Sequence, residues 1–219
     1  TDQNFGRGVT VMGNDAAPAS LRMTQSLVSN TADSGVALFG VTAHLEGVRI
    51  VGVDADGLGR YGFGIGAVSN GTTSMLTVRS SHVEAARHAG VMTFDTEVEL
   101  LATSILQSTA LDDGSWGDGV SILRSSSDST ATLAGVVIAS AERAGISAID
   151  APIALRTTRL DCNTLHLNAE TPNGGNAGYI NSGGNSCGCG DAAEACKVLS
   201  SELAAPAPPT SGEKDGYGL

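Results

Sequence analysis

Residues 90–145 read GVMTFDTEVELLATSILQSTALDDGSWGDGVSILRSSSDSTATLAGVVIASAERAG, and sliding the chain by 55 residues lays this stretch on its neighbours without a gap. Gly35-Val36 falls on Gly90-Val91 and then on Gly145-Ile146, Leu45 on Leu100 and Leu155, and Ile50 on Ile105 and Leu160. Apolar positions recur while polar ones vary, which is how a structural repeat reads. A second set, Gly64-Ile65 and Gly119-Val120, lies between the first and obeys the same shift, carrying Val78 onto Leu133 and Val83 onto Ile138. Each unit therefore holds two coils. The glycines at 8, 35, 64, 90, 119 and 145, spaced by 27, 29, 26, 29 and 26, mark six of them.

Within a coil the landmark glycine opens a short strand whose alternation sends Val36 and Leu38 inward and Ala37 outward. A second strand carries Leu21/Met23, Ala43/Leu45, Leu76/Val78, Val98/Leu100, Ala131/Leu133 and Ile153/Leu155 as inward pairs, and a third is marked by Val28, Ile50, Val83, Ile105, Ile138 and Leu160. Three strands per coil, joined by Gly, Ser, Asn and Asp turns, predict an all-β parallel β-helix whose inward side chains stack in ladders. No ten-residue segment keeps helical apolar spacing without interruption, and the unit halves too evenly for a propeller blade.

Composition narrows the partners. The formal charge is -11 and the two lysines, Lys197 and Lys214, both follow the repeats, so no basic stripe exists for nucleic acid. Apolar residues come in runs of two to four, which excludes a membrane-spanning helix. Neither an initiator Met nor a signal peptide is present, and the first residues enter a coil already in progress, so more coils are expected upstream in the full protein. Cys162, Cys187, Cys189 and Cys196 cluster after the sixth coil and read as two disulfides of an exported protein. A Cys187–Cys189 bond would be strained, so Cys162 joins one of that pair and Cys196 the other; the sequence leaves the choice open.

The alternating coil pair, the aromatic-Gly-x-Gly-Val/Ile turn ends, and Cys187-Gly-Cys-Gly followed by Cys196, Leu199-Ser200-Ser201 and a Pro-rich tail resemble the right-handed parallel β-helix repeat proteins of pectate-lyase-like fold, most closely the exported surface proteins of myxobacteria. The resemblance covers about residues 5–200 and implies an exported, repeat-built protein with no common activity to carry over. Right-handedness follows partly from it and partly from the hand of parallel crossovers. The expected layout is coils over 1–160, a disulfide-linked C-terminal cap over 161–203 that shields the open end, and a flexible Pro-rich tail over 204–219.

Enzymes of that fold work with grouped carboxylates, often calcium, and an Arg or Lys base on the outer face of a strand ladder. Here the outward positions of the first ladder are Thr10, Ala37, Gly66, Met92, Ser121 and Ser147, none of which titrates. The second ladder presents Arg22, His44, Thr77, Glu99, Thr132 and Ala154, with His44 and Glu99 two coils or about 9.6 Å apart, too far for an acid–base pair. Asp95 and Asp150 share a turn position and read as turn-bonding residues. No catalytic residue is assigned, and no cofactor is expected. The acids of the long turns, Asp54 and Asp56 and then Asp112, Asp113 and Asp118, are weak calcium candidates that do not match an EF-hand.

Phe5, Tyr61 and Trp116 hold one place in three successive double coils and would line an edge about 9.6 Å apart, near the length of a disaccharide. They are the candidate ligand-binding strip, with neutral or cationic sugars favoured by the acidic neighbours. Two functions are weighed: a non-catalytic extracellular or cell-surface protein, structural or adhesive, whose partner is a polysaccharide or another surface protein; and a polysaccharide lyase or glycoside hydrolase with its residues in the long turns.

Overall fold

In the computed structural model, residues 6–14, 16–71, 74–125 and 130–200 are described; Phe5 and the Pro-rich tail lie outside them. The first turn comprises β1 (Val9–Met12), β2 (Ala19–Thr24) and β3 (Leu27–Ala32), and the second β4 (Ser34–Phe39), β5 (Val41–Glu46) and β6 (Arg49–Asp54). The third is β7 (Phe63–Val68), β8 (Ser74–Arg79) and β9 (His82–Ala86), and the fourth β10 (Ala89–Phe94), β11 (Thr96–Leu101) and β12 (Ser104–Leu106). The fifth is β13 (Asp118–Leu123), β14 (Ala131–Ala134) and β15 (Val137–Ala139), and the sixth β16 (Ala144–Ile149), β17 (Pro152–Arg156) and β18 (Arg159–Asp161). A seventh follows as β19 (Leu165–Glu170), β20 (Gly178–Asn181) and β21 (Ser186–Cys189), then β22 (Ala192–Glu194) and β23 (Val198–Leu199). Strands three apart pair in parallel, giving three sheets that run the length of the stack. The chain is an all-β parallel solenoid.

The pairing register is the one the repeat implies: Val36 sits on Ile65, Leu45 on Val78 and Ile50 on Val83. These rungs form one core, each of them at most 1% exposed. A fully buried Leu or Ile contributes about 1.5–3 kcal/mol. Corners are made by single residues in the left-handed region. Gln25, Gly47, Ser80, Ala102, Gly135 and Thr157, with φ between 46° and 65°, stack along one edge between the second and third sheets. Just past that edge, buried Thr103 donates its hydroxyl to the Leu101 carbonyl (3.0 Å), so its polar atom is satisfied within the corner.

The landmark glycines are fixed by close approach. A Cβ on Gly90 would lie 2.2 Å from Ile105 Cγ2 and 2.7 Å from the Gly119 carbonyl, and Gly35 meets Ile50 and Gly64 in the same way. The pairing keeps one register on either side of Gly90, Ala89 with Asp118 and Val91 with Val120, and at the glycine the backbone lies against Ile105 of the third sheet.

The segment expected to be only a cap supplies the seventh turn. Leu167, Tyr179 and Cys187 extend the three inward ladders beyond Ile146, Ile153 and Leu160. The glycine position is taken by His166 here, opposite Gly145 in the pairing of β16 with β19. Replacement of landmark and aliphatic residues together hid this coil. Beyond it, β22 folds back antiparallel on β21 and β23 adds to the first sheet. The disulfides are Cys162–Cys189, bridging coils six and seven, and Cys187–Cys196, which fastens the returning hairpin.

Candidate functional site

The outer face of the first sheet, read from sequence as a bare ladder, is a second buried layer. Ala37, Met92, Ser121 and Ser147 are 2% exposed or less. They are small or unbranched, and larger side chains from the strand ends close over them. Phe63, Ala89, Met92, Leu123 and Ile149 pack with Tyr61, Phe94 and Trp116 in a cluster separate from the solenoid core. Titratable groups flank these uncharged ladder residues. Asp118, fully buried, accepts from Arg143 Nε at 2.7 Å, from Ser121 Oγ and from the Ala144 amide, while Arg143 Nη2 also reaches Ser147 Oγ at 3.3 Å.

His88 lies at the centre of this layer. Its ring stacks on Trp116, centroids 5.1 Å apart, and meets Phe63 edge-on at 4.6 Å, and neither ring nitrogen has a hydrogen-bond partner. Burial first, and the Arg143 guanidinium second, bring its pKa from 6.5 down to about 3, so the imidazole is neutral. The Arg143 guanidinium stands 4.4 Å from the Trp116 centroid, a cation–π contact. An acid wholly enclosed by an arginine and a hydroxyl, beside a neutral histidine, has no route to a substrate proton in this arrangement.

The strip residues are accounted for as follows. Tyr61 is 9% exposed and has Arg60 over its ring at 5.2 Å, and Trp116 is half-buried between contacts with His88 and Arg143. Both have left-handed backbones, φ 64° and 67°, at equivalent points where a long turn re-enters the first sheet, and both rings pack in the outer-layer cluster. Phe5 lies outside the described residues.

The acids of the long turns are engaged. Asp56 accepts from the Leu58 and Arg60 amides and pairs with the Arg60 guanidinium at 3.0 Å; Asp113 accepts from the Ser115 amide at 2.8 Å and from its hydroxyl, which holds its pKa below the usual value. Arg87 stands between the two turns, bonded to Asp112 and 3.9 Å from Asp54. Among the described residues no group of three His, Cys, Asp or Glu is placed to hold a metal ion. A groove of about 650 Å³ runs beside this corner, with Asn30, Thr31, Asp54, Arg87 and Thr109 on its walls.

On the second sheet, His44, Thr77 and Glu99 occupy successive rungs as expected, and Glu99 pairs with Arg79 at 3.1 Å. With Arg22 and Glu46 they border a polar depression of about 410 Å³. Asp95 and Asp150 are both taken up by backbone amides. Asp95 accepts from the Ser125 amide at 2.7 Å, and Asp150 accepts from the Asn173 and Gly175 amides at 3.1 and 2.8 Å, so each ties its corner to the loop of the next coil.

No known family model matches this chain, nor does any curated protein or solved structure. The likeness to β-helix proteins therefore stands on the coil stack itself, and no myxobacterial relative accompanies it.

Sequence reasoning missed the Asp118–Arg143–His88 cluster, although a signal existed. The residue before the landmark glycine in odd coils is Arg7, Phe63 or Asp118, and the residue two before it in even coils is Asp33, His88 or Arg143. Those pairs match in chemistry, cation with acid and ring with ring.

Proposed function

We propose that the protein is an exported, non-catalytic solenoid acting as a rigid structural or adhesive element, with a polysaccharide or another surface protein as its partner. The observation that carries this reading is the sealed first sheet. Where a pectate-lyase-like enzyme would present grouped acids to solvent, Asp33 and Asp118 are fully buried and each is neutralised by an arginine. Two disulfides fit an oxidising compartment, and a long stack of stapled coils suits mechanical spacing. The corner groove beside Arg87, and the exposed part of Trp116 above the neighbouring turn, are the surfaces a sugar would meet.

The test is glycan binding by the wild type and by Trp116→Ala, with neutral, cationic and uronic-acid oligosaccharides as probes. Saturable binding of neutral or cationic glycans without chain cleavage supports the reading, and Trp116→Ala should weaken it. Release of unsaturated or reducing ends would favour the polysaccharide-degrading alternative.

A further inference from the structure

The outer face of the third sheet carries a set of contacts that the rest of the stack does without. Ser104 on β12 is the rung partner of His82 on β9, and Glu84 lies two residues along from His82 on the same face. His82 Nδ1 is 2.7 Å from Ser104 Oγ, and His82 Nε2 is 3.0 Å from Glu84 Oε2. Arg49, the rung partner of His82 on its other side, donates to the same carboxylate oxygen at 3.4 Å. The hydrogen bond from His82 first, and that from Arg49 after it, hold the Glu84 pKa below its usual value, so the carboxylate is ionised and can only accept. In the neutral imidazole Nε2 therefore carries the hydrogen, and Nδ1 accepts from the Ser104 hydroxyl.

The coils do not need this arrangement to fold. A shift of 55 residues puts Leu27 and Val137 where His82 stands, Arg49 and Arg159 where Ser104 stands, and Ser29 and Ala139 where Glu84 stands, and those coils keep the same strand pairing. An imidazole that takes a serine proton and is itself held by a carboxylate makes that serine a nucleophile. His82 and Glu84 are 28% and 29% exposed, packed yet open to a small donor. The base lies on one side of Ser104; on the other the next rung is Val137, 38% exposed, with Leu106 and Ala139 half-buried beside it, an apolar floor for an acyl chain.

The backbone here is already committed. β12 is paired on both sides, and the Ser104 amide donates to the Ser81 carbonyl at 3.0 Å, so that amide is not free to stabilise an oxyanion. A donor whose leaving group departs more readily than serine, such as an aryl ester or a thioester, can still acylate Ser104. The alkyl ester so formed has a poor leaving group and persists.

We propose that Ser104 is a covalent modification site, acylated once per chain by an aryl ester or thioester with a short apolar acyl group. Ser104 Oγ gives its proton to His82 Nδ1 and bonds to the carbonyl carbon; the bond from that carbon to the leaving oxygen or sulfur breaks, and His82 passes the proton to the leaving group. The products are acyl-Ser104 and a phenol or thiol, with nothing oxidised or reduced. Glu84 is a positioning residue. The reaction is stoichiometric, independent of glycan binding at the corner groove, and leaves the protein without turnover.

The probe is p-nitrophenyl butyrate, added to the intact oxidised protein. The expected result is a single equivalent of nitrophenolate per chain above the protein-free rate, with a butyryl group located on Ser104 by peptide mass spectrometry. Ser104→Ala should lose the adduct. His82→Gln, which keeps a polar side chain on that rung but cannot take the proton, should slow acylation at least about 100-fold and abolish the rise in rate with pH that follows loss of the imidazole proton. No adduct on Ser104, or one that forms as fast in His82→Gln as in the wild type, overturns the proposal. Nitrophenolate release that continues past one equivalent in the wild type and stops in Ser104→Ala overturns the single acylation.

Discussion

Asp118 is held by Arg143 from the following coil, and two repeats earlier Arg7 and Asp33 make the same contact with the charges exchanged, Arg7 Nη2 lying 2.9 Å from Asp33 Oδ2. Between them the equivalent positions are Phe63 and His88, ring against ring. The outer layer of the first sheet is thus built from one contact used three times with different chemistry, and only the match within each pair is preserved.

Removing one partner of a buried pair leaves the other charge uncompensated. Asp118→Ala should therefore cost about 3–5 kcal/mol, whereas Asp118→Leu with Arg143→Met should cost less than the two single changes summed. Urea melts of the four proteins check this, and strict additivity would show that the pair is not coupled.

His88 makes stability depend on pH. It binds a proton near 6.5 when unfolded but only near 3 when folded, so the unfolded state holds the extra proton between those values. Stability then falls as pH drops from 6.5 towards 3, by as much as about 1.4 kcal/mol per unit, and the loss is complete below about 3. In His88→Phe this contribution disappears. The comparison to make is the difference between wild-type and variant stability from pH 7 to 4; parallel curves would mean that His88 is accessible to protons in the native state.

Gly90→Ala and Gly114→Ala separate close approach from backbone conformation. The first places a methyl 2.2 Å from Ile105 Cγ2 and 2.7 Å from the Gly119 carbonyl, and should cost at least about 3 kcal/mol. The second has open space around it and φ 79°, so it should cost only about 1–2 kcal/mol. Equal losses in thermal melts would contradict the role given to the landmark glycines.

Much of the fold was legible because the core uses one residue class at one period. Val36, Leu45, Ile50 and their equivalents can be aligned by eye, and each lands on its predicted rung. The seventh coil was hidden where His166 replaces the glycine and Tyr179 and Cys187 replace aliphatic residues in the ladders. The outer layer was hidden for a different reason: alternation tells which side of a sheet a residue faces but not whether that side is open. Ser121 and Ser147 look like surface residues until Arg143 is seen reaching over them. The positive φ at Tyr61 and Trp116 was likewise invisible, and both aromatic residues prove to belong to the layer's packing as well as to the turn.

Reduction should act locally. The Cys162–Cys189 and Cys187–Cys196 loops, with separations of 27 and 9 residues, should contribute about 3.5 and about 2.6 kcal/mol, and all of it falls on the last turn. Hydrogen exchange after thiol treatment should rise first in β21–β23 and leave β7–β15 protected. Uniform loss of protection would mean that the stack unfolds as one unit.

The most direct test of the central claim is turnover. The purified, oxidised protein is incubated with pectate, alginate, a neutral β-glucan and chitosan, with and without calcium, while unsaturated uronate absorbance and reducing ends are followed over days. The account predicts no product above the protein-free control for any polymer, because the acids of the first sheet are enclosed with their arginines. Steady product release that scales with protein concentration would contradict it and place a working site on the solenoid.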